Sequence, residues 1–175
     1  MDTELDEFLR GCAREIQRRA GLADEFGDEL RVGAEAFSDA LDGASYQSCE
    51  LTTVPATRHL AGIDSAAALS RVPWAASTRL DDNGSAVALG LVDQVCDLGA
   101  VSCGLMLLAP GVAYPEHHHS PAEIYLPING DGTWRFGGHA DYRTLAEDEL
   151  VYNQPNDVHS AVAGAEPLVA LYVLL

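Results

Sequence analysis

The sequence contains no lysine; its basic side chains are ten arginines, set against 27 aspartates and glutamates for a formal charge of −17. The absence of lysine excludes Schiff-base and lysine-base chemistry. The scarcity of positive charge argues against nucleic acid and anionic membrane as partners, because both bind through arrays of Lys and Arg. No apolar run reaches the length of a membrane span. Residues 1–20 mix Asp, Glu and Arg with leucines, so no secretory leader is expected and the default compartment is cytoplasmic. Cysteine is sparse. Cys12, Cys49, Cys96 and Cys103 form no Cys-x-x-Cys pair, which points to buried thiols and away from a disulfide framework or zinc knuckle.

What remains is ample apolar material. Hydrophobic residues make up 47% of 175 residues, enough for the core of one domain with an N-terminal elaboration. Residues 3–20 have the helical period, with Leu5, Phe8, Leu9, Cys12 and Ile16 on one face and Gly21 as the stop. Residues 24–41 repeat the pattern with Phe26, Leu30, Val32, Ala36, Phe37 and Leu41. The two helices form a hairpin that serves as a lid, as a dimer element, or as cover for the outside of a sheet. Residues 44–85 read as irregular, punctuated by Pro55, Gly62, Pro73 and Asn83-Gly84, with a short helix over 64–70 and Trp74 as a core anchor.

From residue 86 onward the period changes to strands: 87–95, 101–109, 123–128, 132–136, 142–145, 150–153, 158–162 and 168–174. Turn signals separate them, among them Pro110-Gly111, Asn129-Gly130 and Gly137-Gly138. Many short strands with regular turns imply a sandwich or barrel. The expected organisation is therefore a helical extension over 1–85 and a β-barrel over 86–175, packed as one unit.

The chemistry concentrates in Gly111-Val-Ala-Tyr114-Pro-Glu-His117-His118-His119-Ser-Pro-Ala-Glu123-Ile-Tyr125. Imidazole and carboxylate are the ligands of a divalent transition metal that keeps open positions. Strand parity puts His117, His119, Glu123 and Tyr125 on one face and His118 on the other. Four polar groups buried together need a partner, and a metal ion supplies one. Downstream, His159 follows the Pro155-Asn156-Asp157 turn and is placed to face back into a barrel. His59 and His139 read as surface residues.

The spacing resembles that of the cupin superfamily. Gly111, His117, His119, Glu123 and Gly130 fill all five positions of its first motif, and Pro155 and His159 fit the second. Asp148 and Asn156 stand where that motif has glycine, and Ala163 where it ends in asparagine. The resemblance implies a mainly β fold, a double-stranded β-helix (jelly-roll barrel), holding one divalent metal (Zn, Fe, Mn, Ni or Co) on His117, His119, Glu123 and His159. Tyr114-Pro115 before the histidines, Glu123-x-Tyr125 after them and Trp134 beyond are similar to the cupin-type dimethylsulfoniopropionate (DMSP) lyases, which carry a helical N-terminal extension. Two departures are His118, where a small residue is usual, and Leu126-Pro127, which interrupts a strand.

That likeness implies β-elimination from a zwitterionic small molecule, giving acrylate and dimethyl sulfide. Tyr125 is the first candidate for general base and Tyr114 the second, since a nearby divalent cation favours phenolate. Trp134 and Tyr152 are candidates to offer π faces to the sulfonium. Two other readings remain: a dioxygenase or isomerase on the same scaffold, and a cupin that binds a small molecule without turning it over. A homodimer through a sheet edge or the helices is the default assembly.

Overall fold

The computed structural model describes residues 3–77, 79 and 84–175. Of the expected turn at Asn83-Gly84, Asn83 lies outside the described residues. The N-terminal pattern folds as two long helices, α1 (Thr3–Ala20) and α2 (Gly27–Asp42), and α3 (Ala66–Leu69) is a single turn. In α1, Glu4 and Asp6 sit in the first turn and Arg18 and Arg19 in the last. These charges complement the helix dipole at both ends.

The strands are β1 (Ser45–Tyr46), β2 (Trp74–Ala76), β3 (Val87–Gly90), β4 (Cys96–Asp97), β5 (Ser102–Leu108), β6 (Ala113–His117), β7 (Glu123–Asn129), β8 (Gly132–Arg135), β9 (Arg143–Thr144), β10 (Val151–Asn153), β11 (His159–Ala163) and β12 (Leu168–Leu174). A six-stranded sheet runs β10-β7-β12-β5-β3-β2 and faces a four-stranded sheet, β6-β11-β8-β9, while β1 and β4 form a small separate pair. All pairings are antiparallel. Two antiparallel sheets closing over a shared interior are the double-stranded β-helix that the strand pattern and the motifs imply.

Two differences from the sequence reading matter. Residues 87–95 are not one strand: β3 stops at Gly90, and a 3-10 turn over Val92–Gln94 leads into β4. The barrel also recruits β2 from the segment read as irregular. Trp74 pairs with Gly90 across the sheet edge and donates its indole N–H to the Leu69 carbonyl at 3.0 Å. The barrel sheet therefore begins before residue 86.

Alternation along the central strands divides the apolar residues between two cores. On the outer face of the six-stranded sheet, Cys103, Leu105, Leu107, Ile124, Leu126, Val169, Leu171 and Val173 merge with Leu5, Leu9, Ile16, Phe37 and Leu41 of the helices. On the inner face, Met106, Leu108, Tyr125, Leu168 and Ala170 meet Trp134, Phe136, Ala161 and Ala163. This explains why β5 and β12 are apolar on both sides: each separates one core from the other. The helical hairpin thus covers the sheet.

The helix face that does so differs from expectation. Val32 is 67% exposed, and the neighbouring Gly33 is buried instead. A Cβ there would meet Leu175 Cδ1 at 2.6 Å and Ile124 Cδ1 at 2.7 Å. Helix α2 lies so close to β7 that any side chain here must push aside the tips of Leu175 and Ile124. The cysteines are free thiols, with Cys12, Cys96 and Cys103 buried and Cys49 half-buried. Burial pushes the Cys12 thiol up to about 12, so it is inert at neutral pH. Among the described residues, no helix is long and apolar enough to cross a membrane.

Candidate active site

The histidines gather where strands of the two sheets end together. His117 closes β6 and His159 opens β11, directly opposite in register. Their ring centroids are 4.1 Å apart. His119 lies in the connection that carries the chain from the four-stranded to the six-stranded sheet, and its ring is 5.0 Å from that of His159. Glu123 opens β7. Parity within one strand therefore cannot be what aligns His119 with Glu123, because residues 118–122 are a loop; the crossover brings them together. His118 is exposed, as expected.

Each imidazole is held from behind by a backbone carbonyl. The Nδ1 of His117 lies 2.9 Å from the Pro115 oxygen, that of His119 3.0 Å from Pro121, and that of His159 2.8 Å from Asp157. A carbonyl only accepts, so all three Nδ1 atoms carry the proton and the Nε2 atoms are left as acceptors. The three donor atoms lie within 4.8 Å of one another. This is the arrangement of metal-binding imidazoles, whose outer nitrogen is anchored so that the inner lone pair points at the ion.

Glu123 faces two of these nitrogens. Its Oε2 lies 3.1 Å from His119 Nε2 and 3.0 Å from His159 Nε2. A carboxylate facing two imidazole lone pairs is repulsive unless a proton or a metal sits between them. His159 Nε2 is buried and has no hydrogen bond of acceptable geometry despite that short distance. An orphaned, inward-facing nitrogen beside a buried carboxylate fits a divalent ion held by three histidines and one glutamate.

The electrostatics agree. Burial pushes the Glu123 carboxyl up, but the His119 and His159 imidazoles outweigh it and hold it down at about 2. When His119 is protonated its Nε2–H donates to Glu123, and this raises His119 above its ordinary value. Burial, then the charge of His159, lowers His117 to about 4. His117 is therefore neutral across the physiological range, the state in which an imidazole can bind a metal.

A residue that the strand reading passed over completes this group. Asn153, at the end of β10, is 1% exposed and pairs in register with Glu123. Its Nδ2 donates to Glu123 Oε2 at 3.3 Å, and its Oδ1 accepts from the Gly137 N–H at 3.4 Å. Asn153 therefore fixes which way the carboxylate turns. An asparagine among buried strand residues was the available signal.

Aromatic rings floor the site. Tyr125 is 5% exposed, with its ring centroid 5.3 Å from that of Trp134 and 6.3 Å from that of His159. Burial, then the adjacent Glu123, pushes the Tyr125 phenol well up. Tyr114 reaches the same interior through a bulge. Opposite β11, His159 pairs with His117 but Ala161 pairs with Tyr114, so two steps on one strand face three on the other. That extra residue turns Tyr114 and His117 inward together, where strict alternation would separate them. Their rings meet edge-on at 4.9 Å, and Ser77 Oγ donates to the Tyr114 hydroxyl at 3.4 Å. Tyr172 joins from β12, possible only because Gly104 lies beneath its hydroxyl on β5; a Cβ at Gly104 would collide with it. A cavity of about 190 Å³ opens here, lined by Tyr114, His117, His119, Glu123, Tyr125 and Tyr172, with Arg79 at its edge.

Tyr152 does not belong to this site. It pairs with Ile124, whose side chain points to the helices, so Tyr152 shares that face and packs on Phe26 with centroids 5.3 Å apart. The expectation that it walls the substrate is corrected. His139 stands 3.6 Å from Glu25 on the surface. His59 is half-buried and not the surface residue expected, and its Nε2 has no hydrogen-bond partner. Neither histidine joins the cluster.

Residues 75–170 match the profile of the dimethylsulfoniopropionate lyase family. The chain belongs to the DMSP lyase family, a family of carbon–sulfur lyases. Among curated protein sequences, none matches it. Similar solved structures include one from the crystal structures of the DMSP lyases RdDddP and RnDddQII, at 16% identity and a TM-score of 0.64, covering 81% of this chain and 89% of the other. Another is the DMSP lyase DddQ from Ruegeria pomeroyi DSS-3, at 18% identity and a TM-score of 0.60, covering 87% and 92%. At this identity the likeness is one of fold, and it extends beyond the barrel into the N-terminal part of the chain.

Proposed function

We propose that this chain cleaves DMSP to acrylate and dimethyl sulfide by β-elimination, at a divalent metal held by His117, His119, Glu123 and His159. The observation that carries this reading is the set of three backbone-anchored imidazoles whose inner nitrogens converge on a buried carboxylate, in a chain of the DMSP lyase family. Zn, Fe, Mn, Ni and Co all suit such ligands. The ion supplies a Lewis acid that stabilises the negative charge developing on the substrate carboxylate.

The side chains do the rest. In the elimination a base takes the proton alpha to the carboxylate, the electron pair forms the carbon–carbon double bond, and the C–S bond breaks to release dimethyl sulfide. Tyr125 is the proposed base. Its hydroxyl stands next to Glu123, and the side chain is buried at the inner end of the cavity. Burial keeps this phenol protonated until cationic charge at the ligand cluster offsets Glu123. Tyr114, on the His117 side and oriented by Ser77, is the second candidate. The proton ends on the phenolic oxygen and passes to solvent after acrylate leaves. Trp134, stacked near Tyr125, gives the sulfonium a π face.

Metal-reconstituted protein incubated with DMSP should release dimethyl sulfide into the headspace. Tyr125→Phe should keep its metal and lose turnover. An absence of dimethyl sulfide at confirmed metal occupancy overturns the activity. Full turnover by Tyr125→Phe overturns the role of Tyr125 and transfers it to Tyr114, which Tyr114→Phe then checks.

A further inference from the structure

The reaction needs a carboxylate to enter a site that already contains one, in a protein of net charge −17. Long-range repulsion and Glu123 both oppose that approach. Seven arginines are committed to acids: Arg10 to Asp6 and Asp42, Arg18 to Glu15 and Asp148, Arg19 to Glu15, Arg31 to Asp28, Arg71 to Glu4, Arg135 to Glu116, and Arg143 to Glu149. Arg79 is different. It is exposed, it lines the cavity beside His117, His119 and Glu123, and among the described residues no carboxylate lies within ion-pair distance of it.

We propose that Arg79 is the carboxylate-binding residue of this active site and selects substrates carrying a carboxylate at one end and an onium group at the other. The inference rests on the proposed lyase reading and names the part of the substrate that reading leaves unbound by protein. A guanidinium presents parallel N–H donors that match the two oxygens of a carboxylate, and it keeps its charge at every working pH. Tyr114, Tyr125 and Tyr172 line the same cavity, with Trp134 behind Tyr125, and offer π faces to the onium end. A zwitterion therefore has one productive orientation, with the carboxylate at the Arg79 edge and the leaving group over the rings. An onium compound lacking the carboxylate, or carrying an amide in its place, forfeits the Arg79 contact.

The test compares wild type, Arg79→Gln and Arg79→Lys, all metal-loaded with occupancy measured. For DMSP, Arg79→Gln should raise KM about tenfold or more while kcat changes by less than about threefold, because the lost contact is made equally before and during the reaction. Arg79→Lys should recover part of the loss. Acrylate, which is the product carboxylate, should bind Arg79→Gln about tenfold more weakly by calorimetry. Acrylamide, which is neutral, should not distinguish the variants. Calorimetry needs no turnover, so the two ideas fail separately. Arg79-dependent acrylate binding without dimethyl sulfide release sinks the lyase reading and leaves Arg79 as the anchor. Dimethyl sulfide release with unchanged KM and unchanged acrylate affinity in Arg79→Gln overturns the anchor and leaves the lyase. Acrylate binding that is absent or equal across all three proteins also overturns it.

Discussion

The two faces of the six-stranded sheet are built from the same strands and do opposite work. On β7, Ile124 and Leu126 enter the helix-covered core while Glu123 and Tyr125 enter the barrel. On β12, Val169, Leu171 and Val173 face the helices while Leu168, Ala170 and Tyr172 face inward. The outer face is apolar and closed. The inner face is apolar at its floor and polar at one end, where three histidines, a glutamate and an asparagine are gathered. Stability is expected to reside mainly on the outer face, which leaves the inner one free to hold groups that are unfavourable without a ligand. Because the two faces share strands, a change on one should leave the other intact if the strand itself is not displaced.

The largest expected separation comes from removing a ligand. Glu123→Ala should lower affinity for a divalent metal by more than about 100-fold, whereas Asn153→Ala, which only releases the carboxylate from its donor, should cost about tenfold. Equilibrium dialysis against a competing chelator measures both. Equal effects would mean that Asn153 holds the strand and not the carboxylate. Phe37→Ala attacks the other face. Phe37 is fully buried on α2, so its truncation should cost about 3–5 kcal/mol in denaturant unfolding while metal affinity stays within about twofold.

Gly33→Val is a milder probe of the same face. The new side chain must displace the tips of Leu175 and Ile124, at a cost of about 1–3 kcal/mol. Ile124 is the neighbour of Glu123, so a change in metal affinity here would show that the two faces are coupled through β7.

The most gradual effect is pH dependence of the metal-free protein. His117 has an ordinary value of 6.5 and is lowered by burial to about 4. Between those values the unfolded chain binds the proton more readily than the native one, so stability rises with pH and is lost as pH falls from 6.5 toward 4. The slope from this one group is at most about 1.4 kcal/mol per pH unit. His117→Asn should flatten the curve in that window; an unchanged slope would assign the dependence to other groups. His119 acts with the opposite sign. Its raised value adds stability that is complete below 6.5 and fades above it.

Much of this division was legible in the sequence because it rests on periodicity. The last strand was read at 168–174 and is found at Leu168–Leu174, and the first helix at 3–20 is Thr3–Ala20. The spacing of His117, His119, Glu123 and His159 was also readable, since the ligand types are few. What escaped reading had no periodic signal. The bulge that turns Tyr114 inward is set by pairing with β11, which local sequence does not encode. Strand β10 has three residues, too few to anchor parity, so the sequence does not show that Tyr152 turns to the helices and Asn153 to the barrel. Gly33 carries no hydrophobicity, so the apolar pattern points to Val32 as the buried position. The short edge strand Trp74–Ala76 lacks any alternation and was hidden between turn residues.

In the proposed reaction the polar end of the barrel holds a metal and DMSP is cleaved there. The most direct measurement titrates chelator-stripped protein with a divalent metal and follows dimethyl sulfide release against the ion bound. Release should climb in proportion to occupancy and level off at one ion per chain. Full occupancy with no dimethyl sulfide, or release that proceeds in stripped protein, would contradict the account.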